Sequence, residues 1–308
     1  MRPRAASGDR RVSALAHTSF GADWLELREP LDLAARDPGL LARFGSCVEN
    51  GVVQECGAGH GALLRAVAPA LRGRVHWHAY DHDTALLAEL SPRFTRWGER
   101  QGDWRPLATD EDGEPAGSAT GRWQGRRAQL AAQTHVVDLA QGLPMLEASA
   151  IACSAWLDLV SADWLTALGR QLATAQVHTL YLSMTINGEI RFTPASGEDE
   201  LLVSAYLRHM EQDKGFGPAL GPAAQPRLTQ WLDEGGYALD WARSDWRLDC
   251  AHAAATRHWL RGLATAAVAH SPMLREVAEA WLHRRRAELA GGWLQVEIGH
   301  FDLLATRN

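Results

Sequence analysis

The sequence predicts an α/β fold with a doubly wound, mostly parallel sheet of seven strands, an antiparallel C-terminal strand and added helices that form a cap. Three observations predict this fold. Strand and helix patterns alternate between residues 51 and 185, a glycine-rich turn joins the first strand to its helix, and residues 177–185 are apolar enough for a strand buried on both faces. The 308 residues, of which 46% are hydrophobic, suffice to build the core of such a fold.

The N-terminal part of the chain precedes this alternation. Residues 1–20 are rich in arginine but lack a long apolar run, so we expect a mobile tail and neither a secretory signal nor a membrane anchor. Residues 24–48 carry apolar side chains at helical spacing, interrupted by Pro30 and Pro38, which predicts two short helices.

The alternating region predicts five strands. They comprise residues 51–56, 74–80, a segment ending at residue 138, 148–155 and 177–185, with helices at 62–71, at 84–97 and after the fourth strand. Residues 102–125 are rich in glycine, proline and acidic side chains, and therefore predict a surface loop before the third strand.

The last part of the chain breaks the alternation. After Asn187-Gly188 and a loop at residues 214–222, the patterns predict a helix at 228–234, a strand at 237–244, helices at 252–269 and 273–289, and a final strand at 293–305. We therefore expect one domain over residues 21–308, with its core at 51–185.

Composition excludes several classes of protein. The formal net charge of −6 and the pI near 6.1 argue against a grip on the phosphates of a nucleic acid. The four cysteines stand singly, without the paired spacing of a zinc, redox or iron–sulfur site. We expect reduced thiols in a cytoplasmic protein that binds no membrane.

The strongest motif is Glu55-Cys56-Gly57-Ala58-Gly59-His60-Gly61, which follows an apolar strand and opens a helix. Glycines at such a turn permit positive φ and let a ligand approach the backbone, while the start of the helix offers free N–H groups. The spacing Gly57-x-Gly59-x-x-Ala62 also satisfies the relaxed dinucleotide fingerprint, so NAD or NADP is an alternative ligand. Glycines that only allow tight packing of helix on strand are another alternative.

Acidic residues help to choose between these ligands. Glu55 precedes the first glycine, Asp81 ends the second strand and Asp138 ends the third. Carboxylates attract a sulfonium or ammonium group but repel a pyrophosphate, so the set favours S-adenosylmethionine. Taken singly, Asp81 and Asp138 would more often cap helices, and Asp83 has the position of a helix cap rather than of a metal ligand. We therefore predict no metal site.

With these residues, the segment 51–185 resembles the class I S-adenosylmethionine-dependent methyltransferases, whose acid-x-Gly-x-Gly pattern matches Glu55, Gly57 and Gly59. The resemblance implies that Asp81 bonds the ribose hydroxyls and that Asp138 bonds the adenine amino group. It also places residues 153–158 beside the transferred methyl group. The cofactor contacts that we assign in addition are His82, Leu139, Ser154 and Trp156. Arg28 is assigned to the methionyl carboxylate, with a solvated helix face as the alternative.

One departure from the family pattern is Gln54-Glu55-Cys56, where relatives more often have Asp followed by a small residue. Contacts to the methionyl end of the cofactor are therefore less well defined by the motif. The stretches 24–37 and 213–222 also resemble uncharacterised bacterial small-molecule methyltransferases. That likeness identifies no substrate.

The resemblance implies methyl transfer to an oxygen or nitrogen of a small molecule, as in specialised metabolism. Residues 21–48, 187–235 and 249–290 are then the substrate-side elements, and a homodimer is compatible with the sequence. A non-catalytic binding protein with the same fold is an alternative from a different class.

Proton removal from the acceptor requires a base, for which Asp158 and His209 are candidates. Lys214 and Phe216 lie in a glycine-rich loop that suits a lid over the acceptor. The alternatives are a structural hydrogen bond for Asp158, a helix surface position for His209 and an ordinary turn for the loop.

Overall fold

The fold is described from a computed structural model of the chain. The structure describes residues 21–107, 120–142, 144, 148–175 and 177–307. The predicted tail at 1–20 and the middle of the predicted loop at 102–125 lie outside the described residues.

The helices and strands follow one another largely as the patterns predict. The helices are α1 (Ala22–Ala35), α2 (Pro38–Cys47), α3 (Ala62–Val67), α4 (Thr84–Gln101), α5 (Ala162–Thr174), α6 (Gly197–Met210), α7 (Ala224–Glu234), α8 (Ala253–His270) and α9 (Arg275–Ala290). The strands are β1 (Val52–Cys56), β2 (Gly73–Asp81), β3 (Trp104–Pro106), β4 (Gly121–Gly125), β5 (Ala128–Val136), β6 (Ala150–Ser154), β7 (Thr179–Thr193), β8 (Ala238–Arg243), β9 (Trp246–Leu248) and β10 (Gln295–Thr306).

All described strands belong to a single sheet with the order β3-β4-β5-β2-β1-β6-β7-β10-β8, and β9 pairs with β10 off this path. The five central strands β5, β2, β1, β6 and β7 are parallel to one another. The C-terminal strand β10 runs antiparallel between β7 and β8. The predicted α/β fold with its antiparallel C-terminal strand is confirmed.

Three short strands add to the seven that were predicted. β3 and β4 lie at the two ends of the predicted loop at 102–125, where they pair with each other and extend the sheet beyond β5. The prediction of a continuous surface loop is therefore wrong at both ends. β9 has three residues, too few for a periodic pattern to be recognised.

β7 continues through Asn187-Gly188 to Thr193, where the sequence pattern predicted that regular structure would end. β10 pairs with this extension as far as the register Gln295 to Thr193. The partner strand therefore supports a segment whose own sequence is not typical of a strand. After the extension, Ser196 and Asp199 form a capping box that starts α6.

Three apolar clusters form the core. The first lies under α2, α3 and α4 on one face of the sheet, and includes Trp77 and Phe94. The second packs α5 and α7 on the other face. The third joins α1, α6, α8 and α9 to the extension of β7 and the start of β10. This third layer is the predicted helical cap, and it lies beyond the carboxyl end of the central strands. Among the described helices, none combines the length and apolar character that crossing a membrane requires.

Candidate functional site

A cleft opens where β1, β2, β5 and β6 end, between α1 and the loop at residues 214–216. Because the carboxyl ends of parallel strands meet at one edge of a sheet, side chains far apart in sequence converge there. The structure brings all the predicted cofactor and acceptor contacts to the walls of this cleft, namely Arg28, Glu55, Gly57, Gly59, Asp81, His82, Asp138, Leu139, Ser154, Trp156, Lys214 and Phe216.

The glycine-rich turn after β1 requires its glycines. Gly57, Gly59 and Gly61 have φ of +69°, +52° and +82°, in the left-handed region that other residues rarely adopt. A Cβ atom on Gly57 would lie 2.6 Å from Cδ1 of Trp156, and one on Gly61 would lie 2.8 Å from Cγ of Leu90. A Cβ atom on Gly59 would meet only Leu25, at 3.5 Å. The backbone at Gly59 is therefore open to an approaching ligand.

Replacing Gly57 with alanine is expected to displace the Trp156 ring as well as to strain the backbone. Gly102, with φ of +70° and no atom within 4 Å of the position that a Cβ atom would take, provides a matched control that has the strain without the clash. Both variants should lose about 1–2 kcal/mol of unfolding free energy from the left-handed conformation. Only Gly57→Ala should change the tryptophan fluorescence of the folded protein and weaken ligand binding. Equal fluorescence in the two variants would contradict the role of the Gly57–Trp156 contact.

Glu55 ends β1 with its carboxyl group in the core. Its side chain is 1% exposed, and Nε1 of Trp77 donates to Oε2 at 2.7 Å. Burial raises the pKa of Glu55 to about 8, even though the Trp77 hydrogen bond and the charges of Arg36 and Arg65 lower it. At neutral pH the carboxyl group of the free protein is therefore mostly protonated. The anionic Glu55 expected from the sequence is corrected to a neutral acid, because burial disfavours the charged form.

Asp81 joins the loops that follow β1 and β2. Its Oδ2 accepts from the N–H of Gly59 at 2.8 Å, and its Oδ1 accepts from the N–H of Asp83 at 3.0 Å. His82 is exposed, with Nδ1 3.4 Å from Oδ1 of Asp81. An ionised carboxylate has about four acceptor positions. Asp81 thus retains acceptor capacity for a ligand after it has fixed the glycine-rich turn.

Asp138 follows β5 and caps a short 3-10 turn at residues 139–141. Its Oδ1 accepts from the N–H of Ala140 at 3.0 Å, and its Oδ2 is 3.4 Å from Nε2 of Gln141. The carbonyl of Leu139 accepts from Nε1 of Trp164 at 2.7 Å. Asp138 therefore caps this turn, as the alternative interpretation predicted, and it also lines the cleft wall.

Arg28 and Ser154 line the cleft through side chains that already have protein partners. Arg28 donates from Nε and Nη2 to the carboxylate of Asp32, at 3.0 and 3.2 Å, and lies over the Trp246 ring at 4.9 Å. Ser154 Oγ accepts from Nη2 of Arg36 at 2.6 Å. Arg36 is buried, and it had no signal in the sequence because nothing in a helical pattern distinguishes a buried arginine from an exposed one.

Trp156, which packs against Gly57, and Phe216 contribute aromatic rings to the cleft wall. Trp156 makes edge-to-face contacts with Trp164 and Phe216, with ring centroids 4.9 and 5.3 Å away. The loop that carries Phe216 is ordered by Asp213, whose Oδ1 accepts from the N–H groups of Gly215 at 2.7 Å and Gly217 at 3.0 Å. Burial lowers the pKa of the neighbouring Lys214.

The two candidate bases lie outside the set of cleft-lining residues. Asp158 is buried in a 3-10 turn directly before the lining residue Leu159, and burial raises its pKa to about 6. His209 lies in the last turn of α6, and burial lowers its pKa with smaller effects from Lys214 and His270. The structure therefore places Asp158 just behind the wall of the cleft, whereas it does not bring His209 to the cleft.

His60 is a cleft residue that belongs to the glycine motif but had no role predicted from the sequence. It is buried, and its ring contacts Arg65 of α3. Ala155, with φ of +51°, also lines the cleft at the end of β6. Neither the buried contact of His60 nor the left-handed conformation of Ala155 could be predicted from a single sequence, since both depend on which side chains the fold brings into contact.

Comparison with protein-family models and with curated proteins gives no match. Solved structures do give matches. A cyclopropane-fatty-acyl-phospholipid synthase-like protein from Lactobacillus casei is 13% identical, covers 94% of this chain and 94% of its own, and has a TM-score of 0.51. A methyltransferase from Geobacter sulfurreducens, crystallised with S-adenosyl-L-homocysteine, is 15% identical over 89% of this chain and 92% of its own, with a TM-score of 0.42. At 13% identity the likeness to the Lactobacillus casei protein concerns the fold alone, and it agrees with the α/β fold described above.

Proposed function

We propose that this protein binds S-adenosylmethionine in the cleft and transfers its methyl group to an oxygen or nitrogen of a small molecule. The observation that carries the proposal is the convergence of Glu55, Asp81 and Asp138 on one cleft beside the open backbone of Gly59. A nucleoside needs acceptors for its ribose hydroxyls and its amino group, and the two aspartates supply them.

The residues present fit this ligand. The turn at Gly57 and Gly59 leaves room for a ligand against the backbone, and a buried ring nitrogen of His60 has no hydrogen-bond partner among the described residues. Asp81 has acceptor positions left for two hydroxyls of a ribose. Asp138 is positioned for an adenine amino group, with Leu139 beside it as an apolar neighbour.

When bound, S-adenosylmethionine supplies the methyl group. The residues of this chain position the acceptor and keep water away, which is the main requirement for an in-line displacement. We assign the acceptor side to Trp156, Leu159 and Phe216, whose apolar groups line the cleft, and to Lys214 beside them. Asp158, with a pKa of about 6, is mostly ionised at neutral pH and is our candidate base; because it does not line the cleft, it would take the proton through one bridging water.

Titration calorimetry with S-adenosylhomocysteine, NAD and NADP tests the proposal. We expect binding of S-adenosylhomocysteine and no heat from either dinucleotide. Asp81→Asn should weaken the affinity for S-adenosylhomocysteine by about tenfold to a hundredfold, because hydrogen bonds to a charged group contribute roughly 1.5–3 kcal/mol. Asp233→Asn, an exposed change on α7 outside the cleft, is the matched control and should leave the affinity unchanged.

Binding of NAD or NADP without S-adenosylhomocysteine would instead support an oxidoreductase. Tight binding of S-adenosylhomocysteine with no methylated product from a broad acceptor library would support a non-catalytic binding protein. The product mass and the modified atom, determined by mass spectrometry and NMR, test the assignment to oxygen or nitrogen acceptors.

A further inference from the structure

Lys214 is the single lysine of the chain, which otherwise uses arginine wherever it carries a permanent positive charge. It lies on the wall of the cleft, together with the apolar side chains of Trp156, Leu159 and Phe216. The side of the cleft that we assign to the acceptor therefore has one ammonium group on an apolar surface. Because lysine and arginine bind anions in different ways, the residue type at this position carries information about the acceptor.

The loop that carries Lys214 has a fixed position relative to the strand ends. A backbone bridge joins Asp213 to Pro218 across the loop, and a second bridge joins Ala219 to Ser161. Ser161 is the N-cap residue of α5 and follows the cleft wall directly. Lys214 thus reaches the cleft from a backbone that the surrounding structure holds in place.

The ammonium group of Lys214 has no acidic partner in the part of the chain that the structure describes. The carboxylate of the preceding Asp213 accepts from the N–H groups of Gly215 and Gly217 instead. Burial lowers the pKa of Lys214, and no carboxylate offsets this effect. A partly buried cation without a counter-ion is unfavourable, so this wall favours a ligand that brings a negative charge.

The other charges of the cleft are arranged differently. The aspartates that line the cleft at the ends of β2 and β5 belong to the side that we assign to the nucleoside. Arg28 already has a bidentate pair with Asp32. Among the cleft residues that the structure describes, Lys214 is therefore the cation whose charge an acceptor can neutralise.

The acceptor side also offers no base at the cleft surface. Among the described residues of this wall, Trp156, Leu159 and Phe216 cannot take a proton, and an ammonium group has none to accept. Asp158 lies behind the wall and would act only through a water. An alcohol or a protonated amine must lose a proton when it is methylated, whereas a carboxylate has none to lose. A carboxylate thus fits both the ammonium group and the surface around it.

We infer that the acceptor is a small carboxylic acid with an apolar body, which Lys214 binds as its carboxylate and which leaves as the methyl ester. The inference rests on the proposed function, since it specifies the acceptor of the same cleft. One carboxylate oxygen forms a bond to the methyl carbon, the carbon–sulfur bond breaks with its electron pair left on sulfur, and no proton is taken up or released. The negative charge of the acceptor disappears in this step, so the neutral ester loses its attraction to Lys214.

An ammonium group suits this reaction better than a guanidinium group. Arginine binds both oxygens of a carboxylate through its planar fork, whereas lysine acts as a point charge and can leave one oxygen free. The free oxygen is the one that reaches the methyl group. Lysine therefore stands at the position where the acceptor needs a counter-ion without a second hydrogen bond, in a chain that uses arginine elsewhere.

The single lysine permits a binding measurement that does not depend on turnover. An amine-selective acylating reagent modifies only Lys214 and the α-amino group of the chain, and mass spectrometry gives both rates for protein saturated with S-adenosylhomocysteine. Octanoate and benzoate represent a flexible and a planar apolar body. The better binder of the two should slow acylation of Lys214 by about tenfold or more, whereas octanamide and benzamide should change it by less than about twofold. The α-amino group is the internal control, and its rate should not change.

Substitutions at Lys214 separate its charge from its shape. Lys214→Met keeps most of the apolar stem and should weaken the binding of the carboxylate by about tenfold to a hundredfold, measured by titration calorimetry with S-adenosylhomocysteine present. Lys214→Arg keeps the charge and should stay within about threefold of wild type. Arg170→Met, an exposed change on α5 outside the cleft, is the matched control and should bind the carboxylate as wild type does.

The affinity of Lys214→Met for S-adenosylhomocysteine should change by less than about twofold, since the loop belongs to the acceptor side. Equal losses for S-adenosylhomocysteine and the carboxylate would mean that Lys214 binds the cofactor, and would overturn the inference. Acylation of Lys214 at the same rate with and without both carboxylates would also overturn it.

The products made with S-adenosylmethionine give the last test. Mass spectrometry should find the methyl ester of octanoate or benzoate, and no methylated product from octanol, octylamine, benzyl alcohol or benzylamine. Products from the alcohols or amines alone would overturn the inference and support the proposed function. A wild-type protein that does not bind S-adenosylhomocysteine would overturn both.

Discussion

Replacement of Arg285 with alanine is expected to lower the free energy of unfolding by about 3–5 kcal/mol, because it removes one partner of a buried ion pair and leaves the other uncompensated. Arg285 in α9 is fully buried and donates from Nη2 to Oδ1 of Asp199 at 2.6 Å. Its Nη1 donates to Glu288 at 2.6 Å and to the carbonyl of Pro194 at 2.8 Å. The guanidinium also lies over the ring of Phe192, at 4.8 Å.

Arg284 provides a matched control in the neighbouring position. It pairs with Glu198 at 2.9 Å, but both side chains are 38% exposed. Exposed pairs contribute roughly 0–1 kcal/mol, so Arg284→Ala should have a small effect on the free energy of unfolding. Denaturation in urea, followed by circular dichroism, measures both variants. Equal losses in the two would show that burial of the Arg285–Asp199 pair does not determine its contribution.

The contacts of Arg285 also attach the cap helices to the sheet. Asp199 belongs to the capping box of α6 and accepts from Nε1 of Trp281 at 2.7 Å, so the ion pair joins the start of α6 to α9. Phe192 belongs to the extension of β7. Loss of Arg285 therefore weakens the attachment of the cap helices to the sheet, while the cluster under α2, α3 and α4 keeps its contacts.

The sequence predicted those residues of the candidate site that lie at the ends of strands. Glu55, Asp81 and Asp138 each follow an apolar run, and the parallel order of the strands brings them to one edge regardless of the details of packing. The glycines of the turn could be predicted because positive φ restricts the choice of residue. Because of these local rules, the residues predicted to contact the cofactor lie together in one cleft.

Features that depend on long-range contacts could not be predicted in this way. The strand β3 has three residues, and β7 extends past Asn187-Gly188 because β10 pairs with it. Arg36 and Arg285 are buried although arginine usually favours the surface, since Ser154 and Asp199 meet them from distant parts of the chain. His60 contacts Arg65, which in turn pairs with Glu29, and only the fold brings these three side chains together. The protonation of Glu55 also follows from its burial and not from its residue type.

Replacement of Glu55 with glutamine is expected to remove a large pH dependence of stability. The folded protein keeps a proton on Glu55 up to about pH 8, whereas the unfolded chain releases it near 4.5. Between these values the native state binds more protons, so the free energy of unfolding falls as pH rises. At about 1.4 kcal/mol for each pKa unit, the loss across the window is on the order of 4–5 kcal/mol.

The difference in unfolding free energy between Glu55→Gln and wild type isolates this effect, because other titrating groups contribute equally to both. Relative to wild type, the unfolding free energy of the variant should rise by several kcal/mol between about pH 5 and pH 9, most steeply below pH 8. Urea denaturation at intervals across this range gives the difference. A difference that stays constant with pH would mean that Glu55 is ionised in the folded protein across this range.

The pKa of Glu55, which sets this pH dependence of stability, should also respond to the charge of the proposed ligand. A cation in the cleft favours the ionised form of Glu55 and so lowers its pKa, whereas a neutral sulfur does not. S-adenosylmethionine carries the sulfonium and S-adenosylhomocysteine lacks it, so the ratio of their affinities for wild type should rise in favour of S-adenosylmethionine as pH increases from about 6 to 8. In Glu55→Gln that ratio should not depend on pH. A cleft that holds its acid neutral until a sulfonium enters would thereby discriminate between the cofactor and its demethylated product, which must leave before another turnover begins.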